Sequence, residues 1–168
     1  MQPIAIVYGS TTSNAKNIAE RIAAKITETD VVLFDVADMN VESLKDFSNI
    51  IMGSSTWGIG DLPDDWDGFL PKLKRFDLSG KTIALFALGD SYSYSDSFVD
   101  SMGIIYEAIK DKGCNIIGSV STEGYNYDMS TAEIDGVFVG LPLDEDNEYD
   151  LSDERIDNWL AQIKPELQ

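Results

Sequence analysis

The chain has 168 residues, one cysteine and no histidine, and 12 Lys and Arg against 30 Asp and Glu give a formal net charge of −18. That length fits one domain able to bury a core, the lone cysteine excludes an internal disulfide, and the lack of histidine removes the commonest zinc, haem and triad chemistries. So acidic a surface repels nucleic acid and anionic membranes and favours basic partners, in encounters that slow as salt rises.

No stretch reaches the ~20 apolar residues of a membrane span, and no charged-then-apolar leader opens the chain, so a cytoplasmic protein without a membrane span is expected. The run Ile4-Ala-Ile-Val-Tyr8 predicts a buried strand over 4–8, and Ala15, Ile18, Ala19, Ile22, Ala23 and Ile26 then recur at helical spacing. Between them stand Gly9, Ser10, Thr11, Thr12, Ser13 and Asn14. The first N–H groups of a helix lack internal partners and carry partial positive charge, so this loop predicts an anion site that needs no Lys or Arg. The same residue types are also what an ordinary N-cap requires.

A second short strand is expected over 31–34, a brief helical or turn segment over 41–47, and a third strand over 50–52 that ends at Gly53. Trp66, Phe69, Leu70, Leu73 and Phe76 keep helical spacing, with Pro71 marking either a kink or a first turn. The longest apolar run, 82–88, predicts the central strand. Phe98, Met102, Ile105 and Ile109 form the next helical stripe, with Gly113 as its expected C-terminal cap. Cys114 then reads as a small buried hydrophobe, and 115–120 as a fifth strand. Ile156, Trp159, Leu160 and Ile163 line a last helix, with Ser152 expected as its cap and Asp153 and Glu154 in its first turn.

Apolar strands alternating with helices argue an α/β fold, a parallel sheet covered on both faces in one domain. The polar segment 121–139 breaks the rhythm and predicts an insertion at the fifth strand. In such sheets ligands bind beyond the carboxyl ends of the strands. The loops expected there are 10–14, then Ser54 to Asp61, then Gly89 to Tyr94. Trp57, Tyr92 and Tyr94 stand among small polar residues rather than on a core stripe, so two of the three loops offer flat faces for a planar ring. No G-x-G-x-x-G and no G-x-x-x-x-G-K-[ST] occurs, which sets aside dinucleotide and P-loop sites.

Taken together these loops resemble those of the flavodoxins, long-chain branch, over essentially the whole chain. The matching stretches are 9–14, Thr56-Trp57-Gly58-Ile59-Gly60-Asp61 with Asp64-Asp65-Trp66, Ala87-Leu88-Gly89-Asp90 through Tyr94, and the segments 121–126, 138–141 and 144–147. The resemblance implies a doubly wound five-stranded parallel sheet in the order 2-1-3-4-5, with the insertion in the fifth strand. That order, and FMN at its switch point, are carried over from the family rather than deduced.

It further implies FMN held by Ser10, Thr11, Thr12, Ser13, Asn14 and Ala15 at the phosphate. Ser55, Thr56, Trp57, Gly58, Ile59 and Gly60 would form the second loop, and Leu88, Gly89, Asp90 and Tyr94 the third. Trp57 and Tyr94 would cover opposite ring faces, Asp90 the pyrimidine edge, and Asp146 would lie near the ribityl chain. The family usually has Gly where Ser13 stands and Thr where Ala15 stands, so a left-handed φ at Ser13 and a lost hydroxyl bond at Ala15 are the expected consequences.

The function implied is a low-potential carrier shuttling single electrons between FMN semiquinone and hydroquinone. It would act as a monomer and without a substrate of its own. Gly58 would make the family's peptide flip inexpensive. Asp61, Asp64, Asp65, Asp67, Asp90 and Asp96 lie on or near the loops, and one carboxylate about 8 Å from the reduced ring costs it roughly 2 kcal/mol at a dielectric near 20. Basic-surfaced redox proteins are the expected partners, a flavin reductase such as ferredoxin-NADP reductase and iron–sulfur proteins. The alternatives are an FMN-dependent quinone or azo reductase on the same fold, and an interaction module that uses the acidic surface without any flavin.

Overall fold

The computed structural model describes residues 1–9 and 13–168. Strand β1 (Ile4–Gly9) lies between β2 (Val31–Asp35) and β3 (Asn49–Ser55), and β3 is followed by β4 (Thr82–Leu88) and β5 (Asn115–Ile117). All neighbours are parallel, giving the order β2-β1-β3-β4-β5. The three inner strands are buried along their whole length because helices cover both faces.

Successive residues of a strand point to opposite faces, so continuous apolar runs divide into two layers. Ala5, Val7, Ile50, Met52, Ile83 and Leu85 pack under α2 (Asp64–Arg75) and α3 (Asp100–Ile109). Ile4, Ile6, Ile51, Ala84 and Phe86 pack under α1 (Asn14–Ala24) and α4 (Ser152–Ile163). The edge strand β2 is only half buried, and Val32 is exposed.

The fifth strand departs from the expectation over 115–120. It stops at Ile117, where Gly118 takes φ +85° and passes so close to Trp159 that a Cβ would lie 2.6 Å from the indole nitrogen. That nitrogen donates to the Gly118 carbonyl at 2.9 Å. Val120–Ser121 (β6) then joins Glu133–Ile134 (β7) and Val137–Phe138 (β8) in a small antiparallel sheet ordered β6-β8-β7. The chain returns as β9 (Leu141–Leu143), which takes up the same edge of β4 beyond β5. Thr82 to Ala84 face β5, and Phe86 to Leu88 face β9. The insertion therefore divides the fifth strand in two.

The insertion is tied to the sheet by aromatic rings and backbone. Phe98 and Phe138 contact Tyr125 and Tyr127 at centroid separations of 5.1–6.1 Å, and the Tyr125 hydroxyl donates to the Pro142 carbonyl at 2.8 Å. Thr131 N–H donates to Asp100 at 2.8 Å, and Phe98 N–H to the Met129 carbonyl at 3.2 Å.

Four helix details differ from the sequence pattern. Helix α2 continues past Pro71, an interior residue, which rules out Pro71 as a first-turn residue. Helix α3 begins after Phe98, because Val99 adopts φ +49°, a left-handed conformation that a β-branched residue takes only when packing holds it there. Its C-cap is Lys110 rather than Gly113, which lies in the turn beyond and whose carbonyl accepts from Gly80 N–H at 3.0 Å. Ser152 does not cap α4: its hydroxyl donates to Glu145 at 2.7 Å, and Leu151 occupies the cap position. Cys114 is only half buried, its thiol directed at the Ile109 carbonyl, and burial pushes its pKa up.

Candidate functional site

The loops after β3 and β4 meet the start of α1 and the turn after β9 around a cleft of about 190 Å³. Asn14 lines it from the start of α1; Ser55, Thr56, Trp57 and Gly58 from the end of β3; Leu88, Gly89, Asp90 and Tyr94 from the end of β4; and Asp146 from the turn after β9. These ten residues are distant in sequence and all belong to the predicted set. Ser10, Thr11 and Thr12 lie outside the described residues. Ser13, Ala15, Ile59 and Gly60 do not line the cleft.

The reasons differ. Ser13 precedes α1 with φ +66°, the left-handed conformation that the departure from glycine put in question, and its carbonyl accepts the helix bond from Asn17 N–H at 3.0 Å. The Ala15 side chain is fully buried in the core layer beneath α1. Ile59 stands at a loop tip, 83% exposed. Gly60 is buried against Asp100, whose carboxylate would lie 2.6 Å from a Cβ there.

The second loop is a closed turn. Trp57 and Asp61 exchange backbone hydrogen bonds of 2.8 Å in both directions, with Gly58 at φ +49° and Gly60 at φ +99° between them. A Cβ on Gly58 would meet nothing nearer than Asp61 at 3.9 Å, so glycine is required there by conformation and not by space. Thr56 anchors the turn to both neighbours: its N–H donates to the Leu88 carbonyl at 2.9 Å, and its hydroxyl pairs with that of buried Ser101 at 2.8 Å. Beside it the buried Ser55 hydroxyl has no hydrogen-bond partner among the described residues. Buried hydroxyls are rarely left so, and this one lines the cleft.

The third loop is held by a network that the sequence reading did not find. Asp90 Oδ1 accepts from Tyr92 N–H at 3.1 Å, Ser93 N–H at 2.9 Å and Asn147 Nδ2 at 2.8 Å. Asp144, fully buried, accepts from Ser91 N–H at 3.1 Å and from the Ser91 hydroxyl, and from Asn147 N–H at 3.0 Å. The Asn147 amide also reaches both Asp144 oxygens, at 3.0 and 3.1 Å. One amide nitrogen thus bridges two carboxylates. The signal in sequence was the pair Asp144 and Asn147 three residues apart after an apolar stretch, a spacing typical of a side-chain-to-backbone turn.

These bonds set the electrostatics. Burial alone would raise the Asp90 carboxyl, but the donors from Ser93, Asn147 and Tyr92 outweigh it and hold the group below the usual carboxylate range. Asp146 moves the other way, pushed up by burial and then by Asp90, Asp144 and Glu145. Glu145, a cleft-lining residue absent from the predicted set, is fixed by Arg21 at 2.6 Å and by the Ser152 hydroxyl. Trp57 and Tyr94 remain 43% and 44% exposed, so the cleft is walled by two accessible aromatic faces and rimmed by carboxylates. Among the described residues no group of three or more His, Cys, Asp or Glu could hold a metal ion, and no helix is long and apolar enough to cross a membrane.

Residues 6–159 match the family model described as Flavodoxin. A flavodoxin from Picosynechococcus is 44% identical over 98% of this chain and 98% of its own length. One from Helicobacter pylori is 42% identical, again over 98% of both chains. Among solved structures, the Fusobacterium nucleatum flavodoxin bound to flavin mononucleotide superposes with a TM-score of 0.95 at 31% identity, covering 100% of each chain.

Proposed function

The chain belongs to the flavodoxin family, and on that premise we propose that it holds FMN in the three-loop cleft and passes single electrons between redox partner proteins. The observation that carries this reading is the convergence of ten predicted residues on one cleft with two accessible aromatic walls. The unpartnered Ser55 hydroxyl supports the fit, since a ligand in the cleft would supply the missing bond. Bound FMN supplies redox chemistry that takes or gives one electron at a time.

The chain's own residues bind and orient. Ser10 to Asn14 would take the phosphate with backbone and hydroxyl donors at the head of α1. Trp57 and Tyr94 offer flat faces for stacking. Gly58 can turn its peptide without opposition from a side chain, so the loop is free to present either its carbonyl or its N–H to the ring edge. Asp90, locked in charged form by three donors, and the neighbouring Glu145 and Asp146 place negative charge around the cleft and oppose the addition of a second electron.

The net charge of −18 supports basic-surfaced partners, a flavin reductase of the ferredoxin-NADP reductase kind and iron–sulfur proteins, met by a cytoplasmic monomer. The relatives do not favour the quinone or azo reductase alternative. Titrating the FMN-free chain with FMN should quench flavin fluorescence at a one-to-one ratio and give a yellow protein. A chain that stays colourless overturns the reading, and so does NAD(P)H-driven quinone turnover without an added reductase.

A further inference from the structure

A cavity of about 600 Å³ shares no residue with the flavin cleft yet is divided from it by only two strips of chain. Asp90 and Tyr94 face the cleft, while Ser91, Tyr92 and Ser95 face the cavity. Likewise Glu145 and Asp146 face the cleft, while Asn147 and Glu148 face the cavity. The opposite wall comes from the insertion, as Tyr125 to Asp128.

The lining combines tyrosine rings with carboxylates. Tyr92 is 85% exposed, Tyr125 and Tyr127 are held from behind by Phe98 and Phe138, and Asp128 and Glu148 supply negative charge. No Lys or Arg lines the cavity. Its wall already binds one guanidinium: Arg155 lies 4.1 Å from the Tyr125 ring centroid, 3.4 Å from Glu148, and donates to the Gly124 carbonyl at 3.2 Å. An aromatic face, a carboxylate and a carbonyl are the elements that recognise a planar cation. The same lining carries two further rings and a further carboxylate, Tyr92, Tyr127 and Asp128. Asp128 is oriented by Ser95, its N–H donating to the Ser95 carbonyl at 2.9 Å and its carboxylate accepting from the Ser95 hydroxyl at 2.8 Å.

We propose that this cavity receives an arginine side chain from the surface of a basic redox partner, and that the insertion serves to build it. The proposal rests on the electron-carrier reading for its choice of a protein partner. The walls are braced by ring contacts and backbone bonds, so little ordering is needed on binding. An open, acidic cavity on a chain of charge −18 suits a protruding basic side chain that must arrive and leave quickly. Docking there brings the partner within one loop of the flavin cleft.

The test titrates the 15N-labelled, FMN-loaded chain with N-acetyl-arginine methylamide and with its uncharged citrulline counterpart. Saturable amide shifts at Tyr92, Tyr127, Asp128 and Asn147 are expected with arginine and not with citrulline. Asp128→Asn should weaken arginine binding about three- to tenfold, and Glu166→Gln, an exposed acid on the C-terminal turn, should leave it unchanged. Equal shifts with citrulline, or shifts scattered over all the acidic residues, overturn the site. With a basic c-type cytochrome as the partner probe, Tyr92→Ala should lower the association rate about threefold or more at low salt. An unchanged rate overturns the docking role. The arginine titration repeated on the FMN-free chain separates the two readings: a chain that binds guanidinium but refuses FMN retires the carrier, whereas a yellow protein with a silent cavity retires the docking site.

Discussion

Replacing Asn147 by leucine removes the one amide that bridges Asp90 and Asp144. Its Nδ2 lies 2.8 Å from Asp90 and 3.0–3.1 Å from the two Asp144 oxygens, so both carboxylates lose a donor and face each other with nothing between them. A hydrogen bond to a charged group is worth about 1.5–3 kcal/mol, with the lower end appropriate for an exposed side chain such as Asn147. Two carboxylates about 5 Å apart repel by about 1 kcal/mol when water screens them well. A loss of about 1–3 kcal/mol of order in the third loop corresponds to FMN affinity weakened by about 5- to 150-fold. The Asp90 carboxyl should also move up towards its ordinary value. A carboxyl held low in the folded state stabilises the fold above its unfolded pKa, and that stability is lost as pH falls through the folded pKa. The variant should therefore be less stable than the parent at pH 7, and the gap should narrow on acidification, because only the parent still has the Asp90 contribution to lose. Flavin fluorescence titration and urea unfolding from pH 3 to 7 measure both effects. Affinity within twofold of the parent, with an unchanged acid limb, would refute the bridging role.

Ser13→Gly should relieve a left-handed strain of about 1–2 kcal/mol, offset in part by about 0.5–1 kcal/mol of backbone entropy, and raise the urea midpoint of the FMN-free chain. Gly60→Ala meets both φ +99° and the Asp100 carboxylate at 2.6 Å, so a loss of about 2 kcal/mol or more and a disordered second loop are expected, visible as lost Trp57 fluorescence quenching on FMN addition. Asp146→Asn removes a carboxyl whose folded pKa is raised by burial and its acidic neighbours. Such a group costs stability only above its unfolded pKa, so the variant should be more stable than the parent at pH 7 and indistinguishable from it near pH 3. A parent and variant that differ equally at both pH values would exclude that account.

The sheet was legible because β1, β3 and β4 are buried on both faces, and burial on both faces writes itself as an unbroken apolar run. The fifth strand was legible only to Ile117. Its second half, Leu141–Leu143, is three residues long and contains Pro142, too little pattern to announce a strand, and its pairing with β4 is supplied by a partner distant in sequence. Helix ends were misread for a related reason. Gly113 and Ser152 have the right composition for caps, but Gly113 is taken up by a turn against Gly80 and Ser152 by Glu145, and such tertiary bonds override local propensity.

The candidate site divides along the same line. Trp57 and Tyr94 stood out because exposed aromatics among small polar residues have no core stripe to join, and both are found half exposed on one cleft. The carboxylates around them carried no comparable mark. Asp144 is fully buried and structural, Glu145 is tied down by Arg21, and Asp146 lines the cleft, although the three are consecutive and chemically alike. Their difference arises from what each meets as the turn after β9 crosses between two cavities: Asp144 the Ser91 donors, Glu145 the Arg21 guanidinium and Asp146 the open cleft. The third loop is divided in the same way between the two cavities, with Asp90 on the cleft and Ser91 and Tyr92 on its neighbour. A substitution at Ser91 or Asn147 therefore acts on both cavities at once. Ser91→Ala leaves the buried Asp144 carboxylate one donor poorer, the hydroxyl, since the Ser91 N–H bond persists. Its effect on FMN affinity should fall well short of that of Asn147→Leu, which removes donors from both carboxylates. Equal losses in the two variants would mean that Asp144, and not the bridge to Asp90, governs the order of the third loop.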